Sequence, residues 1–265
     1  KGILIKDAQS LETAHKIKTI IFDKTGTLTK GEPVVTYYSD KKTLQIAASL
    51  ERGSEHPLAG AILKKAKDLN LKLDNVAEFK ALPGKGIEGR IDGNKYFLGS
   101  TEDGLISLIF NKKVLGTFTI TDTLKENVKE VVESLEKRGI SVWMITGDNE
   151  QTARKVAKEA GIKHILARVL PGQKTDKVKE LKENGDKVAF VGDGINDAPA
   201  LAASDVGIAV GSGTDVAIES AGITILGKDI KGVLTAIDLS RQTIKVIKQN
   251  LFWAFAYNTV MIPLA

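Results

Sequence analysis

Four short segments carry side chains suited to moving a phosphoryl group. The first is Asp23-Lys24-Thr25-Gly26-Thr27-Leu28-Thr29, directly after an apolar run at 17–22. A carboxylate of ordinary pKa, about 4, is ionised at neutral pH and needs no base to act as a nucleophile. It does need a cation beside it and small neighbours, so that an anion can come close; Gly26 and the threonines supply the latter. The plainer reading is a polar turn capped by an aspartate. The second segment, Val191-Gly192-Asp193-Gly194-Ile195-Asn196-Asp197, offers two carboxylates and an amide between glycines. Oxygen ligands of this kind suit a hard Mg²⁺, although Asp197 could equally cap the helix after it. Thr146-Gly147-Asp148 adds a hydroxyl and a tight backbone. Lys174, after Pro171-Gly172, is the candidate cation. A lone lysine means little; together the four segments supply nucleophile, metal ligands, hydroxyl and positive charge for phosphoryl transfer.

The elements that must position these groups can be read from apolar periodicity. Residues 17–22, 140–145, 187–191, 208–210 and 223–226 read as strands. Leu124, Val128, Val131 and Leu135 fall at helical spacing, which predicts a helix over 123–138 closed by Gly139; a second helix runs 150–160 to Gly161, and a third 197–203. Strands alternating with helices predict an α/β fold with a doubly wound parallel sheet. Ligands in such sheets sit beyond the carboxyl ends of the strands, where the first three segments fall. Residues 31–117 break the rhythm, with helical stretches at 41–51 and 56–69 and a turn at Asp92-Gly93-Asn94. They read as an inserted α+β domain. The expected division is a discontinuous domain of 1–30 and 118–249, the insertion at 31–117, and a tail at 250–265.

Composition narrows the class. The 265 residues are 42% hydrophobic and 27% charged, enough to build a sizeable core. There is no cysteine, which fits a reducing compartment and removes thiolate metal sites and cysteine nucleophiles. The net charge of +5 is compatible with a polyanion partner. No aromatic platform is interleaved with the basic residues, however, so Lys64, Lys65, Lys67, Lys177, Lys179 and Lys182 read as solvated helix faces and no nucleic acid is expected. From Leu251 to Ala265 the chain carries no charge, and Arg241, Lys245 and Lys248 precede it. This reads as the truncated start of a membrane helix, short of the roughly 20 residues a span requires, with its basic flank on the cytoplasmic side.

DKTGTLT at 23–29, TGDN at 146–149 and GDGINDAPAL at 192–201 resemble the motifs of P-type ATPases, within the haloacid-dehalogenase-like superfamily. The resemblance implies that Asp23 forms an aspartyl-phosphate from ATP. It implies that Asp193, with Asp23 and the Thr25 main chain, holds Mg²⁺. It also implies that Thr25, Thr146, Gly147 and Lys174 bind the phosphoryl group, with Asp148, Asn196 and Asp197 supporting the site. Related soluble phosphatases carry an acid/base aspartate two residues after the nucleophile. Here that position is Thr25, which cannot shuttle the proton as a carboxylate does, so the phosphoenzyme is expected to persist.

Within the insertion, Gly84-Lys85-Gly86-Ile87-Glu88-Gly89 fails as a dinucleotide fingerprint because a hairpin pattern comes after it. With Ser54-Glu55-His56-Pro57 it resembles the nucleotide-binding domain of heavy-metal P-type ATPases. That likeness assigns adenosine contacts to Glu51, His56, Gly84 and Gly86, and departs from the family at 98–111, where relatives carry a longer helical segment. Asn250, Tyr257 and Asn258 in the tail resemble a membrane helix of the copper(I)-exporting branch, which makes Tyr257 and Asn258 candidate contacts for a transported ion. The resemblance implies a cytoplasmic catalytic part, monomeric by itself, of a pump in the cell membrane. Its actuator and transmembrane domains would belong to the same polypeptide, and its cargo would be copper(I) or silver. The rivals are a soluble phosphatase of the same superfamily and a non-catalytic ATP-binding module.

Overall fold

The computed structural model describes residues 2–54, 57–82, 85–100, 105–183, 185–193, 196–211 and 219–264. The chain divides into two compact units, one of Lys1–Lys30 with Leu124–Ala265 and the other of Gly31–Thr123. The last strand of the second runs Lys113–Leu124.

In the first unit a seven-stranded sheet is ordered β1-β13-β12-β11-β2-β9-β10. Its strands are β1 (Ile3–Ile5), β2 (Ile17–Asp23), β9 (Ser141–Ile145), β10 (His164–Leu166), β11 (Lys187–Gly192), β12 (Val206–Val210) and β13 (Ile223–Ile225). All neighbours are parallel except β1, which runs antiparallel along the β13 edge. A parallel sheet is covered on both faces, which is why its strands are near-continuous apolar runs. β2 shows the division: Ile20 and Phe22 join one buried cluster, and Ile21 joins the other. The first cluster is closed by α4 (Val128–Lys137), α5 (Glu150–Ala160) and the start of α8 (Lys231–Leu264). The second is closed by α6 (Lys174–Glu183) and α7 (Ala198–Ala203). A short α1 (Ala8–Ala14) is started by Asp7, whose carboxylate accepts from the Ser10 amide at 2.6 Å.

One predicted element is corrected. The helix expected over 123–138 begins only at Val128, since Leu124 ends a strand and Asn127 sits at φ 67°, a left-handed conformation that cannot be part of a helix. Leu124 keeps its place against the core, which is why the spacing misled.

The second unit is a six-stranded sheet ordered β3-β8-β7-β6-β5-β4, built from β3 (Thr29–Tyr38), β4 (Ala77–Leu82), β5 (Gly86–Ile91), β6 (Asn94–Ser100), β7 (Ile106–Phe110) and β8 (Lys113–Leu124). From β4 through β8 successive strands pair antiparallel. Its core joins inward residues such as Ile87, Leu98, Leu108 and Phe118 to α2 (Lys41–Glu51) and α3 (Pro57–Asp68). Asp40 starts α2 with a reciprocal cap, accepting from the Lys42 and Thr43 amides at 2.8 and 2.9 Å while Thr43 Oγ1 accepts from the Asp40 amide.

Candidate active site

The register of three parallel strands decides which motifs meet. Asp23 is paired with Ile145 on β9, and Phe22 with Val191 on β11. Asp23, Thr146 and Asp193 therefore lie at or just past the carboxyl ends of adjacent strands. Beyond Asp23, Thr25 (φ −75°, ψ 126°) and Gly26 (φ 74°, ψ −17°) take the dihedrals of a type II turn. The second central position of that turn needs positive φ, the reason for glycine there. A side-chain carbon on Gly26 would sit 3.5 Å from Asp193 Oδ2, so the turn lies against the second motif.

Lys174 binds the cluster together. Its Nζ donates to Asp23 Oδ1 and to Asp197 Oδ1, both at 2.7 Å, and all three side chains are buried. Asp197 could have capped α7, but its side chain makes no cap bond; it reaches inward to Lys174 instead. Gly192 makes room for it, since a Cβ there would fall 2.4 Å from Asp197 Oδ2. That same oxygen is buried and has no hydrogen-bond partner among the described residues.

Electrostatics are set by this packing. Burial pushes the Asp23 pKa up from 3.8 to about 7, Asp197 and Asp193 add repulsion, and Lys174 pulls the other way. The ordinary carboxylate pKa expected from sequence is thus corrected, because 5% exposure leaves the ion little water. Asp197 is raised as well, by burial first, with Asp193 adding repulsion against the pull of Lys174. For Lys174 burial disfavours the charge, but the two carboxylates outweigh it and hold its pKa above the ordinary lysine value.

The other expected residues divide into those near this cluster and those apart from it. Thr146 is buried, and its Oγ1 accepts from the Asp148 amide at 3.1 Å; Gly147 between them is exposed. The Asp148 carboxylate is bound to Lys24 Nζ at 2.8 Å, tying the third motif to the first. Thr25 and Asn196 are exposed. In the second unit Glu51 is buried at the end of α2. Gly86 opens β5 at φ 146°, where a Cβ would lie 2.2 Å from the Leu98 carbonyl oxygen. Strand packing alone thus explains glycine there. His56 and Gly84 lie outside the described residues, as do Gly194 and Ile195. Tyr257 and Asn258 are exposed on α8, and among the described residues no helix is long and apolar enough to cross a membrane.

Two buried lysines beside the site, Lys24 and Lys125, had no role from sequence, and Thr27, counted there among the small neighbours of Asp23, has an Oγ1 buried without a hydrogen-bond partner among the described residues. Local sequence does not mark the two lysines: Lys24 stands between Asp23 and Thr25, and Lys125 between Leu124 and Glu126, so neither lies in an apolar run.

Whether a divalent cation suits the site can be judged from its donors. Asp23 and Asp197 share Lys174, and Asp193 adds repulsion to both carboxylates, negative charge that a cation would offset. No group of three or more His, Asp or Glu placed to hold a metal occurs among the described residues. Mg²⁺ takes one or two carboxylates and keeps water or phosphate oxygens for the rest, and Asp23 and Asp193 lie close enough to repel one another, a donor pair of that kind. The donor set fits.

A doubly wound sheet with acidic strand ends and an inserted antiparallel unit defines the haloacid dehalogenase-like class, and the family described as haloacid dehalogenase-like hydrolase matches residues 17–205. The copper-exporting P-type ATPase of Staphylococcus aureus (strain bovine RF122 / ET3-1) is 45% identical over 289 residues, taking in 100% of this chain and 36% of that protein. That of Staphylococcus haemolyticus (strain JCSC1435) is 46% identical over 288 residues, with the same shares. Among solved structures, a zinc-transporting PIB-type ATPase in its E2.Pi state superimposes with a TM-score of 0.86 and 34% identity, over 98% of this chain and 47% of that one. The catalytic domain of the CPx-ATPase CopB-B, studied for its conformational changes upon nucleotide binding, gives 0.80 and 37%, over 89% of this chain and 95% of that one. The chain belongs to the haloacid dehalogenase-like hydrolases and, among them, to the catalytic domains of CPx-type P-type ATPases. It spans 36% of the length of the curated relatives it matches.

Proposed function

We propose that this chain transfers the γ-phosphoryl group of ATP to Asp23, as the energy-coupling step of a heavy-metal pump. The observation that carries the reading is the buried Asp23–Lys174–Asp197 arrangement at the ends of parallel strands, 2.7 Å on each side of the ammonium. An ionised Asp23 oxygen attacks the γ-phosphorus, an O–P bond to the carboxylate forms, the bond to the bridging oxygen breaks, and ADP leaves. Lys174 has two tasks. It stabilises the ionised form of Asp23 against burial, and it lies where negative charge accumulates in transfer. Asp23, Asp193 and the Thr25 main chain would hold Mg²⁺, which would supply charge neutralisation for the phosphates.

Thr25 decides the fate of the phosphoenzyme. A hydroxyl two residues after the nucleophile cannot deliver or remove a proton as a carboxylate does, so the acyl-phosphate outlasts the departure of ADP. Adenosine recognition falls in this reading to Glu51, His56, Gly84 and Gly86 of the inserted unit. Likeness to copper-exporting relatives supports copper(I), with silver(I) as its chemical neighbour, as the cargo. A cysteine-free chain cannot itself offer the thiolates Cu(I) prefers, so the metal path lies elsewhere in a longer polypeptide. The same reading puts this part on the cytoplasmic side of the cell membrane, joined to actuator and transmembrane domains, with Tyr257 and Asn258 nearest the ion path.

The experiment is labelling with γ-³²P-ATP in the full-length protein. The expected product is acid-stable, hydroxylamine-labile, dependent on Mg²⁺ and absent in Asp23→Asn. Labelling that survives that substitution would sink the mechanism. Stimulation by Zn(II) but not by Cu(I) or Ag(I) would remove the copper assignment alone, and rapid turnover of small phosphate esters would instead support a phosphatase.

A further inference from the structure

Lys125 is a buried lysine that the phosphoryl-transfer reading leaves unused. It comes directly after β8 and is 9% exposed. Lysine is seldom buried this far without a task for its charge. Its main-chain amide donates to the Leu28 carbonyl at 2.8 Å, and its Nζ donates to the Gly26 carbonyl at 2.6 Å. Both bonds end on the short loop after Asp23, from a residue about a hundred positions away in sequence. The Nζ contact is charge-assisted and short, the stronger kind of hydrogen bond.

The loop has reason to need such a hold. Thr25 and Gly26 form a type II turn, and glycine at its second position has more conformational freedom than any other residue. Thr29 closes the far side of the loop: its Oγ1 donates to the Lys24 carbonyl at 2.9 Å and accepts from the Gly26 amide at 3.3 Å. These bonds fix the peptide before Gly26. The peptide after Gly26 has its carbonyl oriented by Lys125. Because that peptide is planar and trans, setting its carbonyl toward the ammonium turns the Thr27 N–H the opposite way.

We propose that Lys125 is a positioning residue for phosphoryl transfer: by gripping the Gly26 carbonyl it locks the turn between Asp23 and Asp193 in the orientation that receives the γ-phosphoryl group. The inference rests on the reading of Asp23 as the phosphoryl acceptor. It differs from a purely structural pin in predicting a loss in transfer with no loss in nucleotide binding. An ångström of misplacement at a reacting centre costs on the order of 10²-fold in rate.

The test compares wild type, Lys125→Met, Lys125→Gln and Lys125→Arg. Three quantities are read: the single-turnover rate of Asp23 labelling at saturating MgATP, the ATP dissociation constant in an Asp23→Asn background, and the ¹H–¹⁵N amide resonances of Gly26 and Thr27 without nucleotide. The methionine variant should lose on the order of 10²-fold in labelling rate, keep its ATP affinity, and show displaced Gly26 and Thr27 resonances. Arginine should restore most of the rate and the resonances. The glutamine variant serves if methionine prevents folding. A wild-type rate in Lys125→Met overturns the proposal, and so does a rate loss matched by equal losses of ATP affinity and melting temperature. Should wild type itself fail to label, the Asp23 reading falls, and the resonances still decide whether Lys125 sets the turn: unmoved signals refute it.

Discussion

The Asp23 cluster and the candidate nucleotide residues of the inserted unit are built in opposite ways. In the first, polar side chains are buried against one another: two carboxylates share one ammonium while a third, Asp193, repels them, and glycines are present to let charged atoms approach. In the second, the glycine that resembles a ligand loop is demanded by its own neighbours. Gly86 pairs with Gly99 across the hairpin, and a Cβ on Gly99 would lie 2.3 Å from the Lys85 carbonyl oxygen. One region stores unfavourable electrostatics that a cation, a proton or loss of a charge relieves. The other is ordinary sheet packing on which a ligand surface can be laid. The first should therefore answer to charge-changing substitutions and pH, the second to steric ones.

The largest effect expected is from Lys174→Met. It leaves Asp23 and Asp197 buried without their shared cation, and an uncompensated buried charge costs about 3–5 kcal/mol. Denaturant unfolding at about pH 7.5, above the folded pKa of Asp23 in wild type, should show a loss of that order in the unit carrying Asp23, where the variant's Asp23 titrates higher still without the pull of Lys174. A loss under about 1 kcal/mol would mean that the pair behaves like a surface ion pair and that the contrast between the regions is wrong.

Gly86→Ala tests the other side. At φ 146° and 2.2 Å from a main-chain oxygen, an added methyl group forces strain of about 1–3 kcal/mol. Gly99→Ala should cost a similar amount by the same crowding. Comparing ATP affinity in the two variants then separates packing from recognition. Affinity lost in Gly86→Ala but kept in Gly99→Ala supports a nucleotide contact at Gly86; equal affinities would leave Gly86 a packing residue only.

The pH dependence has a definite sign. Asp23 titrates near 7 when folded, against 3.8 unfolded, so between those values the folded chain holds the extra proton. Its contribution to stability therefore falls as pH rises from about 4 to about 7, and the full cost is present above that. Asp23→Asn removes this cost and leaves Lys174 paired with Asp197. At about pH 8 it should be more stable than wild type by on the order of 1–3 kcal/mol, with the advantage shrinking toward about pH 5. Millimolar Mg²⁺ should narrow the gap by stabilising wild type, and should fail to do so in Asp193→Asn. A stabilisation that stayed constant across that pH range would contradict the raised pKa.

How far the sequence reached depended on whether an element was local. The buried strands were legible because a run such as 17–22 is apolar whatever surrounds it, and the glycine after α5 marked a left-handed cap that the structure contains at φ 79°. β1 was not legible, since three residues become a strand only by pairing with β13, at the far end of the chain. The beginning of α4 was misplaced because spacing cannot distinguish a half-buried strand residue, Leu124, from the first turn of a helix. In the site, residue types were readable within each motif, but the bonds between motifs were not. Nothing local states that Lys24 meets Asp148, or that Asp197 turns away from its helix toward Lys174. Nor could an ordinary carboxylate pKa be corrected before burial was known.

The smallest effect serves as the control for the comparison. Gly60 lies inside α3, exposed, with no atom within 4 Å of where a Cβ would stand. A glycine in a helix interior costs about 0.5–1 kcal/mol relative to alanine, through the backbone entropy it loses on folding. Gly60→Ala should stabilise the inserted unit by that amount, read as a small upward shift in its unfolding midpoint. Unlike Gly86, it has neither positive φ nor a crowded neighbour, so nothing opposes the gain. Phosphorylation at Asp23 should be unaltered. A destabilisation would show that α3 gains more from the bare glycine than from helix propensity, and that sterics alone do not govern glycine substitution in this unit.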